Sequence, residues 1–173
     1  LDADLRGLDT VYDLVRPIKP QQVKKLMKVK EMLTDDLSGK KVLLFTSFKD
    51  TAKYLHKQIA EDAEYLKRLG RRQVRVIHGG SDAKTRLRLV QSFAPKSNNK
   101  PEWAGTDKEL DILISTDVLS EGQNLQDWAY LLNYDLHWNP TRMIQRAGRI
   151  DRIGTDFETL FVQNFFPDAG LER

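Results

Sequence analysis

Val42-Leu43-Leu44-Phe45 is followed at once by Thr46-Ser47-Phe48-Lys49-Asp50. Four apolar residues without a polar break predict a strand covered on both faces, since a half-exposed strand would alternate. After it, Ala52, Leu55, Ile59, Ala63 and Leu66 recur at helical spacing, with Asp50 or Thr51 able to cap. Upstream, Val23, Leu26, Met27, Leu33 and Leu37 mark an amphipathic helix within residues 20–37, broken at Lys30 and ending near Gly39. Downstream, Val74-Arg75-Val76-Ile77 reads as a second strand, and Ala83, Leu87, Val90 and Phe93 mark another helix. Ile112-Leu113-Ile114, Leu131-Leu132 and Leu160-Phe161-Val162 supply three further strands. This alternation predicts an α/β domain with a mainly parallel sheet and helices on both faces, joined by right-handed crossovers. Ligands of such sheets bind at the carboxyl ends of the strands, so the residues just after each strand are the ones to inspect.

The chain has 173 residues, 40% apolar and 31% charged, enough for one domain with a real core and too few for two full ones. No apolar run approaches the ~18 residues of a membrane span and no signal peptide is visible, which leads to an expected cytoplasmic location and no membrane partner. Without cysteine there are no disulfides or thiolate metal sites. His56, His78 and His137 lie far apart, so no metal site is expected. The net charge of +3 is too small to point to a nucleic-acid partner by itself. Lys67, Arg68, Arg71, Arg72 and Arg75 cluster more tightly and could follow phosphates or simply solvate a helix end. Residues 94–110, rich in turn formers and charge, read as a mobile surface insertion. Residues 1–19 show no clear period and read as a linker or extension from a preceding lobe. The start at Leu1 suggests a piece of a longer protein.

Gln145-Arg146-Ala147-Gly148-Arg149-Ile150-Asp151-Arg152 sits behind Asn139-Pro140, an N-cap followed by proline at the first helical position. On a helix, Gln145, Arg149 and Arg152 share one face, while Met143, Ala147 and Ile150 fall opposite and can pack on a core. Gly148 leaves room for close approach. Two guanidiniums on one face suit a polyphosphate, because arginine stays charged and grips oxyanions in a fork. A solvated basic face is the bland alternative.

Gln145-x-x-Gly148-Arg149-x-x-Arg152 resembles motif VI of the superfamily-two helicases. The segments after the other strands resemble that family in the same order. Thr46-Ser47-Phe48 is similar to motif IV, and His78-Gly79-Gly80-Ser81 with Arg86 to motif IVa. The stretch from Ser115 to Gln126 resembles motif V, and that from Asn133 to Pro140 the usual lead into motif VI. The resemblance covers about residues 40–165 and implies a three-layer, RecA-like (P-loop NTPase-type) fold, with residues 20–173 as the second, C-terminal lobe. Ser120-Glu121-Gly122-Gln123-Asn124-Leu125-Gln126, Trp138-Asn139-Pro140 and Asp151-Arg152-Ile153-Gly154 most resemble the SWI/SNF-related group, and within it the bacterial RapA-like branch. Gly148-Arg149 departs from SWI/SNF proteins proper, which often carry a non-glycine there.

The resemblance implies an ATP-driven translocase on double-stranded DNA. It implies Arg152 as the arginine finger, Arg149 as a second γ-phosphate contact, and Gln145, Gly122 and Asn124 on the nucleotide side. Thr46, Ser47, Gly79, Ser81, Arg86 and Thr116 are the candidates for phosphate-backbone contact, although Ser47 and Ser81 could simply cap helices. The chain contains no Gly-x-x-x-x-Gly-Lys-Ser/Thr loop and no Asp-Glu pair after an apolar strand. Cradling ATP and holding its Mg²⁺ are therefore expected of an N-terminal lobe of the same protein, and this lobe alone is expected to hydrolyse almost nothing. A strand-separating DNA or RNA helicase and a non-catalytic nucleic-acid binding module remain open. A dinucleotide-binding enzyme would need Gly-x-Gly-x-x-Gly after the first strand, where Thr46-Ser47-Phe48 stands.

Overall fold

A computed structural model describes residues 2–70, 72–119, 125, 127, 130–137, 139–147 and 160–166, with the backbone alone at 2–6 and 147. Five strands form one sheet: β1 (Val42–Phe45), β2 (Val74–Ile77), β3 (Ile112–Ser115), β4 (Tyr130–Asn133) and β5 (Phe161–Asn164). All neighbours run parallel, in the order β2-β3-β1-β4-β5. The helices are α1 (Asp2–Val15), α2 (Lys24–Thr34), α3 (Lys49–Ala60), α4 (Ala63–Arg68), α5 (Ala83–Phe93) and α6 (Pro140–Ala147).

The chain leaves β1 for the edge strand β2 and returns to place β3 between them. Right-handed crossovers in opposite directions put their helices on opposite faces. Alternate strand residues divide accordingly. Val42, Leu44, Ile112 and Ile114 pack with Leu26 and Leu33 of α2, Leu55 and Ile59 of α3, and Tyr65 of α4. Leu43, Phe45, Leu113 and Leu131 pack with Val90 and Phe93 of α5 on the other face. Each fully buried Leu or Phe contributes about 2 kcal/mol of hydrophobic stabilisation, which is why such short strands suffice.

Several local expectations are corrected. The apolar period from Ala52 to Leu66 is two helices, because Asp62 stops α3 and caps α4 by accepting from Tyr65 N at 3.0 Å. α3 begins at Lys49 behind Phe48, with neither Asp50 nor Thr51 as its cap. α2 ends at Thr34 and buries Leu26, Val29, Met32 and Leu33, leaving Met27 exposed. Gly39 lies beyond it at φ +66°, in the left-handed region that a turn back into β1 uses. Residues 2–15 form a helix whose Leu8, Val11, Tyr12 and Val15 follow the i, i+3, i+4, i+7 spacing and stand exposed. Within the basic cluster, Arg72 turns inward and donates from Nη1 to Leu37 O at 3.0 Å. Residues 94–110 form two 3₁₀ turns, Lys96–Asn98 and Pro101–Trp103, with Ser97 N bound to Asp127 Oδ1 at 2.8 Å.

Candidate functional site

The carboxyl ends of β1, β3 and β4 lie side by side at the centre of the sheet. The crossover from β1 runs towards β2 and that from its neighbour β4 towards β5, in opposite directions, the place where open α/β sheets bind ligands. After β1, Ser47 donates its N–H and its hydroxyl to Asp135 Oδ1, both at 2.7 Å, and the buried Thr46 hydroxyl donates to Asp135 Oδ2. Thr46 N–H donates to Ser115 O at 3.0 Å and Thr116 N–H to Ile77 O at 3.2 Å, so both threonines extend the sheet ladder. Asp135, two residues beyond β4, thereby fixes the exit from β1.

α6 starts as anticipated, with Asn139 Oδ1 accepting from Thr141 N at 2.9 Å and Pro140 at its first position. Its packing is a surprise. Arg146 is 0% exposed and is the largest fully buried side chain among the described residues, whereas Ile144 is 69% exposed. Its Nε donates to Asp117 Oδ1 at 2.7 Å, Nη1 to Asn133 Oδ1 at 3.1 Å, and Nη2 reaches Ser47 Oγ at 3.5 Å. The guanidinium carbon lies 5.0 Å from the Phe45 ring centroid. One side chain thus ties α6 to the ends of β1, β3 and β4, and Asn133 carries the tie to β5 through Asn164 at 2.8 Å. A guanidinium withdrawn from water is tolerated only with such partners, so the position of α6 is strongly specified. Arg146, Asp117, Asn133 and Asp135 were missed as site residues, because only the strand order brings them together.

Gln145, the residue before Arg146 on α6, is exposed. Gly122, Asn124, Gly148, Arg149 and Arg152 lie outside the described residues.

The end of β2 carries a second group. His78 accepts from Gly80 N at 3.1 Å through Nδ1, a role that needs the neutral imidazole. Burial, reinforced by Lys49 and Lys53, holds its pKa below the usual histidine value and favours that form. Ser81 Oγ accepts from His78 N at 3.2 Å, while Asp82 supplies the cap of α5 by accepting from Thr85 N at 2.9 Å. Gly79 is exposed, has no positive φ, and a Cβ there would meet only Val118 Cγ1 at 3.8 Å. Its N–H has no partner among the described residues. Arg86 donates from Nη2 to Ser81 O at 3.1 Å, and among the described residues it has no carboxylate partner and its buried Nε no acceptor. The β2 end therefore presents open donors and uncompensated charge, as a phosphate requires. Among the described residues no three His, Asp or Glu side chains gather to hold a metal ion. No described helix is long and apolar enough to cross a membrane.

Residues 24–154 match the helicase conserved C-terminal domain. The chain is 32% identical over 122 residues to the DEAD-box ATP-dependent RNA helicase 35A of Oryza sativa subsp. japonica, across 70% of this chain and 16% of that protein. It is 28% identical over 131 residues to the RNA polymerase-associated protein RapA of Yersinia pestis (strain Pestoides F), across 76% of this chain and 12% of that one. Among solved structures, the C-terminal part of the Fun30 ATPase domain superposes with a TM-score of 0.65 at 19% identity, covering 95% of this chain and 49% of that one. The chain thus corresponds to a small part of each curated relative. A parallel sheet in this strand order, the motif-bearing strand ends and the family match over most of its length lead to one conclusion: the chain belongs to the helicase conserved C-terminal domain family, as a RecA-like C-terminal lobe of superfamily two.

Proposed function

We propose that this lobe works in an ATP-driven translocase on double-stranded DNA. It completes, with an N-terminal lobe of the same protein, an ATP site in the cleft between them. In this reading Arg152 is the arginine finger and Arg149 a second γ-phosphate contact, with Gln145, Gly122 and Asn124 on the nucleotide side. Hydrolysis in such motors is positioning plus electrostatic stabilisation, so a guanidinium placed on the γ-phosphoryl oxygens lowers the barrier as charge spreads over them. The support from the described residues is Arg146, whose buried partners hold the helix leading into those arginines. Mg²⁺ falls to the other lobe, and this lobe alone turns over almost no ATP. A cytoplasmic location belongs to the same proposal.

The observation that carries the nucleic-acid half is the β2 end, where the Gly79 N–H and the Ser81 hydroxyl share one turn and Arg86 Nη2 is held against Ser81 O. Backbone amides, hydroxyls and unpaired arginines hold phosphates without reading bases. Ser47 joins them by exchanging Asp135 for a phosphate, while Thr46 and Thr116 position their neighbours from inside the sheet. Residues 1–19 serve as the extension from the preceding lobe.

A second reading is an RNA helicase lobe, favoured by the 32% identity to a relative named an RNA helicase. ATP turnover of the full protein with duplex DNA, single-stranded DNA or RNA separates the two. Duplex stimulation supports the translocase, and stimulation by RNA alone the rival. Arg152→Ala should lower stimulated turnover by about 10³-fold or more with folding intact. Undiminished turnover in that variant would remove the finger assignment.

A further inference from the structure

At the β2 edge, between that strand, α5 and the 94–110 segment, lies an open cavity of about 790 Å³. This volume is at the upper end of small-molecule sites, about 300–1,000 Å³. It is separate from the cluster around Arg146. Thr85, Arg88, Leu89 and Ser92 reach it from one stripe of α5, as the i, i+3, i+4, i+7 spacing dictates. The opposite wall is the 94–110 segment, pinned by Leu110 N donating to Ser92 O at 2.8 Å and by the Gln73 amide donating to Asp107 O.

Three features converge there. Arg75, Arg88 and Lys108 face the cavity with Asp107 as the sole carboxylate in its lining, an excess of two positive charges. Among the described residues none of these three cations has a carboxylate partner. Trp103 is part-buried, with Lys100 Nζ 5.6 Å and Lys108 Nζ 5.7 Å from its ring centroid, so a base that stacks there displaces a lysine from the ring. Leu89 and Leu110 add apolar surface beneath them.

Unpaired cations beside an aromatic ring and an apolar floor are what a single-stranded nucleic acid needs, with its phosphate on the cations and its base on the ring. The stripe begins at Thr85, in the first turn of the helix that follows the Gly79–Ser81 turn, and runs roughly 10 Å to Ser92 at 1.5 Å per residue. Thr85, four residues beyond Ser81, joins that turn to the lining, and Gln73, Asp107, Lys108 and Leu110 extend the cavity along α5 towards the amino ends of β2 and β3. A paired base cannot enter it, because its edge is occupied by its complement.

We propose that this cavity receives one unpaired nucleotide of the bound nucleic acid, with Arg75, Arg88 and Lys108 on its phosphate and Trp103 against its base. The assignment rests on the nucleic-acid reading of the β2 end. It would let the lobe respond to an unpaired segment as well as to a duplex.

The test uses the full protein and fluorescence anisotropy with a labelled single-stranded oligonucleotide, a blunt duplex, and AMP as competitor. The variants are Arg88→Glu combined with Lys108→Glu, Trp103→Ala and Trp103→Phe, each checked by thermal melting. Both charge positions are exposed, so the double variant should fold. It should raise the single-strand Kd about tenfold or more and flatten the salt dependence by up to about 0.7, the slope of one lost phosphate contact. Trp103→Ala should raise it about fivefold or more, with Trp103→Phe recovering most of the loss. Blunt-duplex binding should change by less than about twofold, since the Gly79–Ser81 turn is untouched. An unchanged single-strand Kd and salt slope in the double variant would overturn the proposal. So would AMP binding that the variants abolish while oligonucleotide binding stays intact, which would give the cavity to free nucleotides. Absence of any nucleic-acid binding by the parent protein would instead bring down the reading on which the proposal rests.

Discussion

Arg146 and Arg88 stand on different helices of one lobe and carry the same charge under opposite conditions. Arg146 is fully buried, with Asp117, Asn133 and Ser47 around its guanidinium. Arg88 is exposed on α5, with no carboxylate partner among the described residues. A buried charge must find its partners inside the chain, so it specifies where its helix sits. An exposed charge held beside a cavity keeps its capacity for a ligand. The difference separates residues that build the site from residues that can meet something outside it, and charge or motif membership alone does not reveal it.

The harshest way to break the contrast is Arg146→Met. It leaves Asp117 and Asn133 facing an apolar side chain, and urea unfolding should show a loss of about 3 kcal/mol. That figure is the low end for a broken buried pair, because the Asp117 side chain keeps 25% of its exposure. Arg88→Glu should stay within about 0.5 kcal/mol of the parent. Equal losses in the two variants would erase the distinction.

Asp62 lies between these extremes, with a side chain 42% exposed, Lys30 Nζ at 2.8 Å and Tyr65 N at 3.0 Å. Asp62→Ala should cost about 1 kcal/mol, the usual worth of an N-cap. The Lys30 hydrogen bond, then that from Tyr65 N–H, hold its carboxyl below the ordinary value of 3.8. Since the folded value is the lower one, the stabilisation is fully present above pH 3.8 and lost as pH falls through the folded value. The stability gap between parent and variant should therefore be flat from neutrality to about pH 4 and narrow below it. A gap that persists unchanged in acid would mean that the carboxylate charge contributes nothing.

The gentlest probe is Gly79→Ala, where packing leaves room and φ is ordinary. Stability should move by less than about 0.5 kcal/mol, while the added Cβ, which keeps the N–H but crowds a phosphate drawn close to it, lowers nucleic-acid affinity by about fivefold. A loss of stability without loss of affinity would return Gly79 to the role of a turn residue.

The strands were readable because short unbroken apolar runs entered from a charged residue, Lys41 or Asp111, have few other solutions, and Val42–Phe45 and Ile112–Ser115 lie where their composition places them. The break between α3 and α4 was harder, because the apolar period runs straight through it and only the Asp62 cap stops the helix. The helix at Asp2–Val15 escaped notice although Leu8, Val11, Tyr12 and Val15 keep its period, since glycine and scattered acids interrupt the stretch. Arg146 was invisible for another reason. On a helical projection it falls between the expected apolar and arginine faces, and nothing local tells a buried arginine from a solvated one.

The chain by itself determined the alternation of strands and helices, the parallel sheet, the helix start at Asn139-Pro140 and the family. These follow from local pattern, turn chemistry and the order of motifs along the chain. Tertiary structure decided which polar residues are spent inside and which remain open. Asp117, Asn133 and Asp135 become partners of Arg146, Ser47 and Thr46 only because β1 lies between β3 and β4. Gly79 follows an edge strand whose single neighbour is β3, and the carboxylate beyond β3, Asp117, goes to Arg146, which leaves Gly79 and the nearby Arg86 of α5 open. Pairing across strands depends on distance in space, and spacing along the chain carries no record of it.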